Sequence, residues 1–136
     1  MFQPIIEKRY LWEINLTTVS SGQIYNMTVA PQILLDAYVY GIACYVNTSV
    51  GYSPNNAPVV TAVEAANVLM TLQAMDNSDQ FVWLAPYTDF CPTFNNGALR
   101  IFKPRKINWS KSYVQLINST GVTAGHSVII DVIYKK

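Results

Sequence analysis

The chain has 136 residues, of which 51% are hydrophobic and 12% are charged, and its formal net charge at pH 7 is +1. This length is typical of a single domain with its own core, and the high apolar content excludes a disordered tail. A nucleic-acid-binding protein normally carries a basic patch, and the net charge of +1 gives no case for such a protein, so no specific nucleic-acid partner is expected.

The first half of the chain is predicted to be β-structure. Residues 7–19 alternate between apolar and polar, which is typical of a half-buried strand. A second strand is predicted over residues 23–29, and Pro31, two residues later, indicates that it ends near Val29. A third strand is predicted over residues 34–46, which are apolar on both faces. We treat residues 1–6 as an N-terminal extension and residues 7–136 as a single domain.

Residues 61–75 carry both helix and strand signals. Thr61 and Glu64 have the spacing of a capping box, whereas Val68 to Leu72 resembles a strand. The pattern predicts one helical turn near residues 62–66 and then a strand over residues 67–75. A full helix over the segment is the alternative.

The second half of the chain contains four further predicted strands. Residues 80–85 form a strand that Pro86 ends, and residues 98–103 form one that Pro104 ends. Two β-branched runs, over residues 111–118 and 127–134, are separated by small residues and predict a hairpin with a moderately long loop.

The last run is apolar on both faces. Val128 and Ile130 fall on one face, and Ile129 and Ile133 fall on the other, where Asp131 is the one polar residue. An antiparallel strand with one face exposed to solvent would alternate between apolar and polar residues. We therefore expect that something other than the chain's own core covers the second face.

These elements predict the fold class. Eight short strands and at most one short helix, near residues 62–66, indicate an all-β sandwich of two antiparallel sheets. The single eight-stranded jelly roll is the standard Greek-key solution for that number of strands.

The sequence contains little that resembles a catalytic or metal site. His126 is the one histidine, lies between small residues, and is expected to be solvated. Cys44 and Cys91 are isolated and are expected to be buried thiols. We therefore predict a protein that is not an enzyme and that has no cofactor and no metal.

Two observations bear on surfaces and location. Trp109 lies beside the basic cluster of Lys103, Arg105 and Lys106, and is the tryptophan placed for a surface contact.

No window approaches the ~18 apolar residues of a membrane span, and charged residues stand where a signal peptide would be apolar. Membrane contact and export are therefore not predicted.

A resemblance to a known family follows from the order of the strands. Across nearly its whole length the chain resembles the jelly-roll capsid proteins of tailless icosahedral viruses, especially lipid-containing bacteriophages. The resemblance is one of pattern and spacing, and its segments are YLWEINL, DAYVYGIACYV, VLMTLQ, FVWLAPYTDF, INWSKSYVQLI and VIIDVIYKK. It implies a single-jelly-roll structural protein without catalytic residues, either a penton at the fivefold vertices or a minor capsid protein. Its expected location is the virion, assembled in the host cytoplasm.

The expected partners are copies of the chain itself, as a pentamer, and other capsid proteins. The residues predicted to form the interface between copies are Phe2, Ile5, Tyr38, Tyr40, Ile129 and Ile133. The alternative function is a phage-fibre or lectin-like module that binds glycans through exposed aromatic side chains. A small enzyme of the cupin type is a third candidate, but it requires a histidine-rich metal site.

Overall fold

The structure, a computed structural model, is that of an all-β sandwich, as the sequence predicts. It describes residues 8–27, 32–47, 57–74, 82–92, 100–118 and 121–135. Within these residues, eight strands form two antiparallel sheets of four strands each. The strands are β1 (Lys8–Asn15), β2 (Ile24–Asn26), β3 (Tyr38–Tyr45), β4 (Val68–Leu72), β5 (Val82–Pro86), β6 (Arg100–Arg105), β7 (Tyr113–Leu116) and β8 (Ser127–Lys135).

The strand pairing is nested. β1 pairs with β8, β2 with β7, β3 with β6, and β4 with β5, as in one long hairpin that has been rolled up. The roll is closed by the pairs β8–β3 and β7–β4, which gives the sheet orders β1-β8-β3-β6 and β2-β7-β4-β5. This arrangement is the jelly roll.

The hairpin predicted over residues 111–118 and 127–134 is wrong. β7 pairs with β2 and β4 in one sheet, whereas β8 pairs with β1 and β3 in the other. The loop between them therefore crosses from one sheet to the other. Two apolar runs and a loop predict two strands, but the local pattern does not say which strand each one pairs with.

The beginning of the third predicted strand is instead a short helix, α1 (Gln32–Leu35). Leu34 is buried, and its carbonyl oxygen accepts a hydrogen bond from Nε1 of Trp109 at 3.3 Å. The described part of the chain thus has two short α-helices where at most one was expected. A run that is apolar on both faces has no period that separates a strand from a buried helical turn.

The prediction for residues 61–75 is confirmed. The second helix, α2 (Ala62–Ala65), begins with the capping box, and β4 follows it. The Thr61 hydroxyl accepts a hydrogen bond from the Glu64 N–H at 3.1 Å, and Oε1 of Glu64 accepts one from the Thr61 N–H at 3.0 Å. Both bonds satisfy N–H groups that have no partner inside a helix.

Pro86 is the last residue of β5, close to the predicted end, and Pro104 is the penultimate residue of β6. Both strands are outermost in their sheets. An outermost strand has one side without ladder bonds, so proline, which lacks an N–H, is tolerated there. Both prolines therefore lie on edge strands, at the last residue of β5 and one residue before the end of β6.

The core lies between the two sheets. Trp12 of β1 packs against Trp109 with ring centroids 5.1 Å apart. Cys44 and Cys91 are both buried and free, as predicted. Burying each large apolar side chain stabilises the fold by about 1.5–3 kcal/mol. The largest fully buried apolar side chains include Phe90, Leu16, Met27, Ile42, Met70 and Leu116.

Tyr87 places a polar group in this core. It lies in a 3₁₀ turn, Tyr87–Phe90, and is fully buried. Its hydroxyl lies 2.6 Å from the carbonyl oxygen of Tyr45 and 3.1 Å from that of Ile129, and the N–H groups of the same two residues point at it from 3.2 Å. The hydroxyl therefore bonds to both central strands, β3 and β8.

The second face of β8 is covered within the chain, which corrects the expectation that something other than its own core covers it. Ile129 and Ile133 are each 2% exposed. The register places Arg9 beside Ile133 and Tyr45 beside Ile129. Since both of these long side chains end at Asp131, they run along β8 and lie over its outer face.

Candidate subunit interface

The residues that the sequence assigned to an interface are in different environments. Phe2 and Ile5 lie outside the described residues. Tyr38 is 46% exposed at the start of β3. Tyr40 is half-buried and occupies the bulge in that strand, where the register shifts between its neighbours in the chain. Of the four described residues, Tyr38 therefore offers the most surface to a neighbour.

Ile129 and Ile133 contribute almost no surface to the folded chain. The outer face of β8 instead presents a charged group. Nη2 of Arg9 lies 2.8 Å from Oδ2 of Asp131, and the Tyr45 hydroxyl donates to the same oxygen at 3.0 Å. Burial, and then the negative charge of Asp131, raise the pKa of Tyr45, so its hydroxyl remains a donor.

Asp131 is a buried charged side chain in the middle of β8, and it is 4% exposed. Its second oxygen, Oδ1, is buried and accepts no hydrogen bond. An unsatisfied oxygen of this kind makes the ion pair with Arg9 more important, because a buried carboxylate without compensation is strongly destabilising.

Three exposed apolar side chains lie in α1 or shortly after it, and we call them the α1 patch: Ile33, Leu35 and Tyr38. These side chains are 41%, 41% and 46% exposed, respectively. Their position is set by Leu34, which is buried and bonded to Trp109 through its carbonyl, so its neighbours in the helix face outward.

A basic side chain borders the α1 patch. Nζ of Lys106 lies 5.4 Å from the centroid of the Tyr38 ring and 4.0 Å from Oδ1 of Asp36. The first distance is within the range of a cation–π contact. The α1 patch is therefore an apolar surface with a charged rim, an arrangement typical of protein interfaces.

A second exposed apolar pair, the α2 patch, consists of Val63 and Ile117, which are 75% and 51% exposed. Asn67 connects them, because its amide group donates to the carbonyl of Val63 at 3.3 Å and its own carbonyl accepts from the Ile117 N–H at 2.8 Å. α1 precedes β3 and α2 follows it. The two patches therefore lie at opposite ends of the sandwich.

His126 is not the solvated loop residue that the sequence predicts. Its Nδ1 lies 2.8 Å from Oε1 of Glu64, and its side chain is 24% exposed. The other carboxylate oxygen, Oε2, accepts a hydrogen bond from the Thr123 N–H at 2.7 Å. Glu64 thus holds the loop before β8 against the N-terminus of α2.

Hydrogen bonding keeps Glu64 ionised although it is buried. Burial acts to raise the pKa of this carboxyl, but the N–H groups of Thr61 and Thr123 and the ring of His126 act in the opposite direction and outweigh it. The pKa of Glu64 is therefore below its ordinary value.

No family model, curated protein or solved structure matches this chain.

The described residues were also searched for metal groups and membrane spans. They contain no set of three or more His, Cys, Asp or Glu side chains that could hold a metal ion. None of the described helices is long and apolar enough to cross a membrane.

Trp109 does not provide the exposed ring on which a sugar would stack. It is 3% exposed, packs on Trp12, and donates its ring N–H to Leu34. Trp109 was the tryptophan that the sequence offered for stacking on a glycan, and it is instead part of the core.

Sequence reasoning missed four of the exposed apolar residues. Leu35 was assigned to a strand, and Ile33, Val63 and Ile117 were not singled out. One signal for α1 was available, since Pro31 precedes an apolar run at a position where proline favours a helix start. The exposure of Ile117 has no comparable local signal.

Proposed function

We propose that this chain is a structural virion protein, a single-jelly-roll capsid component that fills the fivefold vertices as a penton or serves as a minor capsid protein. The observation that carries the proposal is the nested pairing of eight strands into two four-stranded sheets. This fold hosts several functions, so the proposal also needs support from the surface.

The surface supports a role in assembly. Only 12% of the residues are charged, about half of the ~25% that is usual in soluble domains. The α1 patch and the α2 patch add five large apolar side chains that are 41–75% exposed. A protein that acts by burying its surface against neighbours has this composition.

The positions of the patches fit a closed ring of copies or a contact with other capsid proteins. In a ring, each copy contributes two different surfaces, one to each neighbour. The α1 patch and the α2 patch differ in composition and lie at opposite ends of β3. The partners in this proposal are copies of the chain, as a pentamer, and other capsid proteins.

The test is assembly of the full chain, measured by sedimentation velocity and negative-stain electron microscopy at tens of micromolar. We expect oligomers or particles for the natural sequence and a loss of assembly for Leu35→Asp, which places a charge in the α1 patch. Gln32→Asp is the matched control, because Gln32 is also exposed in α1 and is outside the patch. Its assembly should be unchanged.

Two results would contradict the proposal. One is a monomer of the natural chain that neither assembles nor co-sediments with other capsid proteins. The other is a binding response to glycans, measured by calorimetry, that Leu35→Asp leaves intact, since that outcome favours the glycan-binding module.

A further inference from the structure

The strand order brings basic side chains together at one end of a sheet. In the sheet β1-β8-β3-β6, Lys8 is the first residue of β1 and lies opposite Tyr134 of β8. Lys135, the last residue of β8, lies opposite Tyr38 of β3. Lys106 follows β6, and its Nζ lies 5.4 Å from the centroid of the Tyr38 ring. Neighbouring strands are about 4.8 Å apart, so lysines from distant parts of the chain form one row.

This row carries little compensating negative charge. Lys8, Lys103 and Lys135 are exposed, and none of them forms an ion pair with a described carboxylate. Lys106 approaches Asp36, but the two charged atoms are 4.0 Å apart and the Asp36 side chain is 82% exposed, so solvent and salt screen the pair. We call Lys8, Lys103, Lys106 and Lys135 the basic rim.

Among the described carboxylates, Asp36 is the one beside the basic rim. Asp131 is buried in β8 and is already paired. Glu64 and Asp89 lie toward the opposite end of the sandwich, in α2 and in the 3₁₀ turn whose first residue bonds to the last residue of β3. Glu13 is bonded to the first residue of β8. The net charge of +1 therefore conceals a basic surface at one end of the molecule.

The α1 patch adjoins the basic rim. Tyr38 belongs to the patch, lies opposite Lys135 and has Lys106 over its ring. Ile33 and Leu35 precede it in α1, and each is 41% exposed. Aliphatic side chains beside lysines are typical of surfaces that bind anionic membranes, where the apolar groups enter the acyl boundary and the basic groups contact headgroups. Tyrosine is also enriched at that boundary.

A nucleic acid is the other large anion that a basic surface binds. Its phosphates would pair with lysines equally well, but a sugar-phosphate backbone makes no use of exposed aliphatic side chains such as Ile33 and Leu35. Base stacking requires a free aromatic face, and Lys106 already occupies one face of Tyr38. The combination of positive charge and aliphatic surface therefore favours lipid.

We infer that this end of the sandwich binds the surface of an anionic lipid bilayer, with the basic rim at the headgroups and Ile33 and Leu35 in the acyl boundary. The contact is peripheral, and it weakens as salt is added, because exposed lysines are screened. The inference does not rest on the virion proposal. Neighbouring copies and lipid can both cover the α1 patch, so the tests use the full chain at submicromolar concentration, below that of the assembly test.

The first experiment is co-sedimentation with vesicles of phosphatidylcholine and phosphatidylserine, compared with vesicles of phosphatidylcholine alone. The natural chain should bind the anionic vesicles and not the neutral ones. Lys8→Gln and Lys135→Gln should each weaken this binding about fivefold, the order that one basic side chain contributes near an anionic surface.

Ala124→Glu is the matched control for these two substitutions. It lowers the net charge by the same amount as each of them, and Ala124 is exposed in the loop before β8, whereas Lys135 ends that strand. Binding should change by less than about twofold, because the length of β8 exceeds the Debye length, about 8 Å at physiological salt.

The second experiment places an environment-sensitive fluorophore on Leu35→Cys. Its emission should shift to the blue when anionic vesicles are added, because position 35 enters an apolar environment. The same label on Val63→Cys is the control, since Val63 is 75% exposed in α2, and its emission should not shift. Cys44 and Cys91 are buried and should not be labelled. A single-stranded oligonucleotide should neither shift the label nor displace the vesicles.

Three results would overturn the inference: equal binding to both kinds of vesicle or to neither, an Ala124→Glu effect as large as that of Lys135→Gln, or a label at position 35 that does not respond to anionic vesicles. Tighter binding to the oligonucleotide than to the vesicles would also overturn it, in favour of a nucleic acid. Lys8 and Lys135 are outside the α1 patch, so loss of vesicle binding through them is distinguishable from loss of assembly through Leu35→Asp.

Discussion

His126 Nδ1 lies 2.8 Å from Oε1 of Glu64, and this contact ties the loop before β8 to the first turn of α2. The two residues come from different connections between the sheets, and both connections end at the same end of the sandwich. The same carboxylate also caps α2 and accepts from the Thr123 N–H. One side chain therefore fixes two loops.

The first prediction concerns the stability that Glu64 contributes. Glu64→Ala should lower the free energy of unfolding by about 2–3 kcal/mol, because it removes the cap and leaves partly buried N–H groups without an acceptor. Urea unfolding followed by tryptophan fluorescence measures the change. Val63→Ala is the control, since Val63 is 75% exposed in the same helix, and it should change stability by less than about 0.5 kcal/mol. Equal effects of the two substitutions would contradict the prediction.

The second prediction is the pH dependence of this contribution. Because the folded-state pKa of Glu64 is lowered, its stabilising effect is fully present above the unfolded-state pKa, about 4.3, and is lost as pH falls through the folded-state value. The stabilising difference between the natural chain and Glu64→Gln should therefore be present at pH 5 and should shrink as pH falls below about 4.3. Urea midpoints at successive pH values test this, and a difference that grows on acidification would refute it.

The third prediction concerns the ion pair on the outer face of the sheet. Arg9→Leu should destabilise the chain by roughly 1–3 kcal/mol, less than for a fully buried pair because Arg9 is 43% exposed. Arg9→Leu combined with Asp131→Leu should recover much of this loss, since no uncompensated charge remains buried. A double-mutant cycle in urea measures the coupling, with Lys8→Leu as the exposed neighbouring control. Additive effects of the two substitutions would show that the residues do not interact.

The fourth prediction concerns the buried hydroxyl of Tyr87. Tyr87→Phe should lower the free energy of unfolding by about 1–3 kcal/mol, because backbone groups of β3 and β8 lose a buried partner. Tyr38→Phe is the control, since Tyr38 is 46% exposed. Calorimetric melting at pH 7 compares the two variants with the natural chain. If Tyr87→Phe and the natural chain had the same melting temperature, that result would contradict the role of this hydroxyl.

Tyr87 also predicts alkaline behaviour. Burial raises the pKa of its hydroxyl well above the ordinary value of 10.0. The stability linked to this group is therefore complete below pH about 10 and is lost as pH rises through the folded-state value. The natural chain should lose stability more steeply above pH 10 than Tyr87→Phe does, which urea midpoints at high pH would measure.

The last prediction compares the buried isoleucines of β8 with the exposed Leu11 of β1. Ile129→Asp, Ile130→Asp and Ile133→Asp should each destabilise the isolated chain by more than about 4 kcal/mol, because all three positions are at most 2% exposed. Leu11→Asp, at 49% exposure, should change stability by less than about 1 kcal/mol. Soluble yield and urea unfolding of the four variants test this. A stable, folded Ile133→Asp would show that its face is open in the monomer.

The strands could be predicted from sequence where their signal is local. The alternation of Tyr10, Trp12 and Ile14 is a property of neighbouring residues, and so is the capping box of Thr61 and Glu64. Both predictions are confirmed. The helix over Gln32–Leu35 was missed because an apolar run without polar interruptions carries no period.

The candidate interface was less predictable, because exposure depends on what packs against a residue. Ile133 and Ile117 are both isoleucines in or beside predicted strands, yet one is 2% exposed and the other 51%. The difference comes from position in the sheet. Ile133 lies on a central strand, beside Arg9 of β1 and Gly41 of β3, whereas Ile117 follows the end of β7.

By itself, the sequence determined the positions of the strands and the capping of α2, because each depends on spacing over a few residues, and the number of strands suggested the jelly roll. The tertiary structure alone decided that β7 and β8 lie in different sheets, that His126 meets Glu64, and that Arg9 and Tyr45 cover β8. Those relationships join residues far apart in the chain. They are set by strand order and by packing between elements, which a local pattern of side chains does not encode.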